Sequence, residues 1–203
     1  MVLDSYRSDS KRFLTPAGKA FAGAGISANS LTYTSLLLAV LAAYLIYSGV
    51  LLYLPFASIL ILISSLLDAL DGEVARITGT ASKRGDFLDH AIDRYADLIL
   101  LLGIMFSPYA GLEMGVFAVS GVMLTSYMGT QAQALGCGRN YRGVLGRADR
   151  LVLLILAPLI QYPFGHGPVY ELTAFQFLLL WFAIAGHATA VQRGVQIWGE
   201  LGK

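Results

Sequence analysis

Residues 51 to 76 read LLYLPFASILILISSLLDALDGEVAR. From Leu51 to Leu67 there is no charge, and then Asp68 and Asp71 arrive three positions apart. A helix crossing the hydrocarbon core of a bilayer needs about 20 predominantly apolar residues. This stretch predicts such a helix, and residues three apart share one of its faces. A membrane helix that ends in two carboxylates on one face sets the question for the rest of the chain.

The rest of the chain repeats the apolar pattern. Of 203 residues, 56% are hydrophobic and 13% are charged, where a soluble domain carries about 25% charged residues. The mean hydropathy is +0.65. Six apolar helices are expected, near Leu31–Ser48, Leu51–Arg76, Gly85–Phe106, Leu112–Leu135, Leu151–Gln161 and Tyr170–Ala190. The fold class is therefore an all-α integral membrane protein with six transmembrane helices. It forms a single domain over 1–203, of which 29–203 is the six-helix core. Ahead of it, Arg7, Lys11, Arg12 and Lys19 alternate with Leu3, Tyr6, Phe13, Leu14 and Phe21. That pattern suits an amphipathic helix lying in the headgroup plane within the segment 1–28; a disordered polar tail is the alternative. The single cysteine, Cys137, allows no intrachain disulfide.

Sidedness follows from the basic residues. Gly49, the Ser107-Pro108-Tyr109 turn and the Pro163-to-Pro168 turn contain no Lys or Arg; all 14 fall on the other side. Short loops rich in Lys and Arg face the cytoplasm. Both termini and the aspartate-rich loop are expected there, in the cytoplasmic membrane of the cell. Nothing in the chain points to a nucleic-acid partner.

The chemistry lies between the second and third helices. Asp89 and Asp93 are four apart, again on one face, and Asp97 continues that face toward the apolar region. Carboxylates in a membrane helix are costly, at roughly 2.5 to 3.5 kcal/mol each at the helix centre. Four of them converging would repel strongly, and a divalent cation removes that repulsion. An all-oxygen donor set favours Mg2+, Mn2+ or Ca2+ over zinc. An interhelical salt-bridge network with Arg76, Lys83 and Arg84 is the alternative. Gly72 and Ala75 either leave room for a flat ligand or merely let helices pack closely. Arg76 adds a positive charge suited to a pyrophosphate.

Asp68-x2-Asp71-Gly72-x2-Ala75-Arg76-x8-Gly85-x3-Asp89-x3-Asp93 resembles the full signature of the CDP-alcohol phosphatidyltransferase family. The upstream Pro-Asn-x-x-Thr element of that family corresponds to Ala28-Asn29-Ser30-Leu31-Thr32, with alanine in place of proline. The resemblance implies that Asp68, Asp71 and Asp89 hold Mg2+ or Mn2+. It implies that Asp93 is the general base and contributes to a second metal. Asn29, Thr32, Asp71, Gly72, Ala75, Arg76 and Gly85 would hold the cytidine nucleotide. The alcohol attacks the phosphorus of a CDP-lipid and CMP leaves. A homodimer is implied by the resemblance alone.

The acceptor is read from the remaining arginines. Arg147 and Arg150 open the fifth helix three apart on one face, with Arg142 just before them and Arg94 beside Asp93. Paired arginines suit a phosphate monoester, although positive-inside bias alone could place them there. Gly143 to Leu151 and the Asp93-Arg94-x-x-Asp97 run are similar to the inositol-phosphate branch of the family. Bacterial members of that branch carry basic residues in the stretch aligning with Gly129 to Gln133, which here is uncharged. The combination is more similar to archaeal members that use CDP-archaeol rather than CDP-diacylglycerol. Glycerol phosphate is the second candidate acceptor. An ion-coupled transporter would instead predict inverted repeats and broken mid-membrane helices, and neither is visible; an inactive scaffold would not need the intact signature.

Overall fold

The computed structural model describes residues 7–138 and 143–202. Among them all regular structure is helical. The order is α1 (Arg7–Gly23), α2 (Ala28–Tyr47), α3 (Tyr53–Ile77), α4 (Lys83–Met105), α5 (Leu112–Ala134), α6 (Arg147–Gln161), a 3-10 turn (Tyr162–Phe164) and α7 (Ala174–Leu201). Four of these, α2, α3, α5 and α7, are long and apolar enough to cross a membrane. Among the six expected spans the other two, α4 and α6, do not reach that standard, for different reasons. The first half of α4 carries the aspartates, and α6 has only 15 residues, or about 22 Å at 1.5 Å per residue.

Helix ends differ most from expectation at α6 and α7, where they move Arg147, Arg150 and Arg193 onto helices. α6 starts at Arg147, four positions before Leu151. The Gly146 N–H donates to Asp149 Oδ2 at 3.2 Å, so the helix begins upstream of its apolar part. α7 starts at Ala174, where Thr173 Oγ1 accepts from the Gln176 N–H at 3.1 Å and Gln176 Oε1 accepts from the Thr173 N–H at 2.9 Å. That reciprocal cap closes the first turn. At its other end α7 runs on past Ala190 to Leu201, because Arg193 and Ile197 keep its inner face buried.

The surface is inverted relative to a water-soluble protein. Leu37, Tyr44, Phe56, Phe117, Trp181 and Ile184 are exposed, whereas Asp71, Asp93, Asp97, Arg150 and Arg193 are buried. Helices apolar on their outer faces need a hydrocarbon surround, and the chain is a multi-pass membrane protein. Inside, small residues let backbones meet. A Cβ on Gly103 of α4 would lie 2.6 Å from the Ala43 carbonyl oxygen of α2. A Cβ on Gly186 of α7 would lie 2.7 Å from the Gly121 backbone of α5.

Packing decides where the site can open. α2 lies against both α3 and α4, α6 against α3 and α7, and α5 makes its most extensive contact with α7. Among the described residues α3 and α4 barely touch each other. At the end of the bundle away from the aspartates, three connections are tied together. Tyr109 Oη and His166 Nε2 both lie 2.9 Å from the Gly49 carbonyl oxygen, and the two rings stack with centroids 5.1 Å apart. Thr173 Oγ1 donates to the Tyr109 carbonyl. Gln161 Nε2 donates to the Gly165 and Gly167 carbonyls at 2.8 and 2.9 Å.

Candidate active site

The link between α3 and α4 is short. Thr78 ends one helix, Gly79 turns with φ of +67°, and Ser82 Oγ accepts from the Gly85 N–H at 3.1 Å to begin the other. The C-terminal third of α3 and the first half of α4 therefore face each other across the gap that α2 spans. Asp68, Asp71 and Asp89 each present a carboxylate oxygen within 4.8 Å of the others. Thr32, on the second turn of α2, donates its hydroxyl to Asp71 Oδ2 at 2.6 Å. That contact fixes Asp71 from the third helix of the group, as an outer partner does for a metal ligand. The donor set is all carboxylate and close-set, which fits a hard divalent cation such as Mg2+ or Mn2+.

Asp93 is buried one turn beyond Asp89. Arg147 Nη2 donates to it, and also to Asp68 Oδ2 at 2.9 Å. Asp93 is thus beside the candidate metal-ligand group and held by a cation from α6. The expected salt-bridge alternative takes a different form here. Arg76 turns to Glu73, with Nη2 at 2.6 Å and Nε at 3.2 Å from Oε2, and is 63% exposed. Lys83 and Arg84 are exposed at the start of α4. Glu73 also accepts from Thr15 Oγ1 of α1 at 2.8 Å, so α1 borders the mouth of the site.

Gly72 resolves an ambiguity that spacing leaves open. A Cβ there would meet only Arg76 Nη1, at 3.8 Å. Among the described residues no other helix presses on it, so close packing there is not the reason for glycine at this position. The space above its backbone is open. Ala75 is half-buried on the same stretch, Gly85 is half-buried and a Cβ there would meet only the Ser82 hydroxyl, at 3.4 Å, and Asn29 is exposed on the first turn of α2.

The arginines divide into two groups. Arg147 is committed to Asp68 and Asp93. Arg94 and Arg150 lean on Asp97, at 3.6 and 3.2 Å, and Arg94 also donates to Ser126. Arg150 is 3% exposed, and among the described residues its Nε and Nη1 have no hydrogen-bond partner. Arg142 lies outside the described residues. Arg193, absent from the expected set, is buried on α7, donates to the Thr125 carbonyl at 2.7 Å, and adds its charge beside Arg150 and Arg94. It was missed because it falls past the expected end of the last helix, where a basic residue reads as a cytoplasmic flank. Buried N–H groups left unmet are costly, and a cluster with excess positive charge is suited to an anion.

A family model described as CDP-alcohol phosphatidyltransferase matches residues 26–189. The archaetidylinositol phosphate synthase of Pyrococcus horikoshii is 34% identical over 160 residues, spanning 79% of this chain and 84% of its own. Crystal structures of Mycobacterium tuberculosis phosphatidylinositol phosphate synthase share the fold at 24% identity. The form with CDP-DAG bound has a TM-score of 0.77 and covers 92% of this chain and 94% of its own. The form in complex with manganese and citrate has a TM-score of 0.76 and covers 91% and 88%.

Proposed function

The chain belongs to the CDP-alcohol phosphatidyltransferase family, and from that premise we propose that it is an archaetidylinositol phosphate synthase. It transfers the lipid-phosphate group of CDP-archaeol to a hydroxyl of inositol phosphate and releases CMP. The single observation that carries the acceptor assignment is the buried Arg150 beside Arg94 and Arg193: among the described residues its Nε and Nη1 have no hydrogen-bond partner, Nη1 meeting Asp97 only as an ion pair at 3.2 Å. A phosphate monoester supplies the missing acceptors.

Asp68, Asp71 and Asp89 hold Mg2+ or Mn2+, with Asp93 adjoining. When bound, the cation neutralises the pyrophosphate and the charge that develops on departing CMP. Thr32 keeps Asp71 in place. Gly72 and Ala75 leave the nucleotide room against the α3 backbone, Gly85 does the same at α4, and Asn29 borders it from α2. Arg76 is exposed at the mouth of the site and faces the pyrophosphate. Asp93 accepts the proton of the attacking hydroxyl. The new bond joins that oxygen to the lipid-bearing phosphorus as the bond from phosphorus to the CMP oxygen breaks. Arg147 orients Asp93 on one side and opens the path to Arg150 and Arg193 on the other. Arg142 completes the basic segment.

In the membrane, α2 to α7 make six spans, α1 lies in the headgroup plane, and the aspartates with both termini face the cytoplasm. Relatedness to inositol phosphate synthases supports the acceptor, and family resemblance supports a homodimer. Product analysis tests the assignment: purified protein, CDP-archaeol or CDP-diacylglycerol, and a panel of alcohols including inositol phosphate and glycerol phosphate. Inositol phosphate should give the fastest CMP release and a phosphoinositol lipid. Faster turnover with glycerol phosphate would move the acceptor while keeping the arginine pocket. Faster turnover with serine or ethanolamine would remove the pocket's role as well.

A further inference from the structure

The turn that leads into α6 is fastened to α7 by one side chain. Thr189 is completely buried. Its Oγ1 accepts the backbone N–H of Val144 at 3.1 Å and of Leu145 at 3.0 Å, and donates to the Ala185 carbonyl at 2.7 Å. A threonine inside a helix commonly bonds back to the carbonyl four residues earlier. Here the same oxygen also holds a segment 44 and 45 positions away.

The loop is shaped to meet it. Gly143 has φ of +132°, and a Cβ there would lie 3.1 Å from Thr189 Cβ and 3.2 Å from Oγ1, with the methyl closer still. Leu145 is buried, so its N–H has no water to turn to. Gly146 brings no side chain to cap α6; Asp149 takes its N–H from within the helix, and Thr189 holds the two residues just before it. The next residue is Arg147, which reaches Asp68 and Asp93, and one turn later comes Arg150. On α7 itself, Arg193 lies one turn beyond Thr189, on the same face.

We propose that Thr189 is a positioning residue for the acceptor end of the site. Its hydroxyl sets the register of residues 143–146, and through that turn the placement of Arg147 and Arg150. It touches neither substrate nor the reacting atoms. This inference rests on the reading of those two arginines as acceptor-side groups.

The test compares Thr189→Val, which keeps the shape and removes the hydroxyl, with Thr189→Ser, which keeps the hydroxyl. Each is purified beside the unaltered protein, and the CDP-lipid and the best alcohol from the panel are varied separately. Thr189→Val should raise the KM for the alcohol about tenfold, the worth of an ordinary hydrogen-bond contribution, and change the KM for CDP-lipid far less. Thr189→Ser should restore most of the difference. An equal rise in both constants, no rise in either, or a serine variant no better than valine would each overturn the proposal. Where Thr189→Val does not accumulate, Gly143→Ala strikes the same contact from the loop side. It should give the same acceptor-specific rise, and a CDP-lipid effect of equal size would count against us. If the unaltered protein rejects every phosphorylated alcohol, the acceptor reading fails alone; the Thr189 comparison then runs on the alcohol that is used.

Discussion

Arg147, on the first turn of α6, donates to Asp93, in the middle of α4, although 54 positions separate them. The same Nη2 reaches Asp68 on α3. One guanidinium therefore joins three helices at the point where the carboxylate cluster gives way to the buried arginines. Whatever shifts the start of α6 shifts the neighbour of Asp93 with it.

The carboxylate cluster predicts a strict need for a divalent cation. Chelation should abolish turnover, and Mg2+ or Mn2+ should restore it. Asp68→Asn, Asp71→Asn and Asp89→Asn should lose metal-dependent nucleotide binding together with rate. Thr32→Val removes only the partner of Asp71. It should weaken metal affinity by about 10 to 100-fold, the usual effect of losing an outer-shell contact, with activity recovered at high metal. Titration of activity and of CMP binding against metal concentration reads both effects. Full activity after metal has been stripped would eliminate the assignment.

Asp93 should separate from the other three aspartates. Asp93→Asn keeps shape and burial but cannot accept the hydroxyl proton. Turnover should fall about 10² to 10⁴-fold, the range for a positioned base, while CMP and CDP-lipid still bind. Single-turnover kinetics with a parallel binding assay distinguishes this from general damage. Near-native turnover at normal protein levels would show that Asp93 is not the base.

Arg193 provides a test of the basic pocket free of the Asp93 contact. Arg193→Ala should raise the acceptor's KM by roughly 10 to 150-fold, the worth of a hydrogen bond to a charged group. Arg193→Lys should recover part of it, since an ammonium lacks the planar fork. If Arg193 serves only its bond to the Thr125 carbonyl, the alanine variant will melt lower with an unchanged acceptor constant, and the pocket assignment falls.

Topology is checked with impermeant labels on single-cysteine variants in a Cys137→Ser background. Sites at Glu113 and Gly167 should react from outside the cell, and Gly202 only after the membrane is opened. Gly202 and Gly167 labelling together would break the six-span arrangement.

The helical scaffold was legible because apolar runs are long and their ends are charged. Asp68, Asp71, Asp89 and Asp93 stood out for the same reason: carboxylates there are too costly to be incidental. Other residues were not legible, for local reasons. The apolar stretch of α6 begins at Leu151, yet the Gly146–Asp149 bond starts the helix earlier, and periodicity cannot register a cap. Arg150 drew notice through its spacing from Arg147, but Arg193 sits where any membrane protein keeps basic residues, so burial alone separates it from an orientation signal. Thr189 is an ordinary helix residue until the turn at Val144 and Leu145 is seen to rest on it. Gly72 could have served packing or access, and only the empty space above it decides.

The composition of α4 changes midway. Up to Asp97 it carries acids, arginine and histidine; from Leu98 to Met105 it is uncharged and apolar. The helix thus changes solvent along its own length, and the reaction stands at the crossover. One reactant dissolves only in oil and the other only in water. A site at that boundary would spare both the cost of changing phase: on the proposed function the lipid enters from the bilayer, the phosphorylated alcohol from the aqueous face, and only the phosphorus is common to the two.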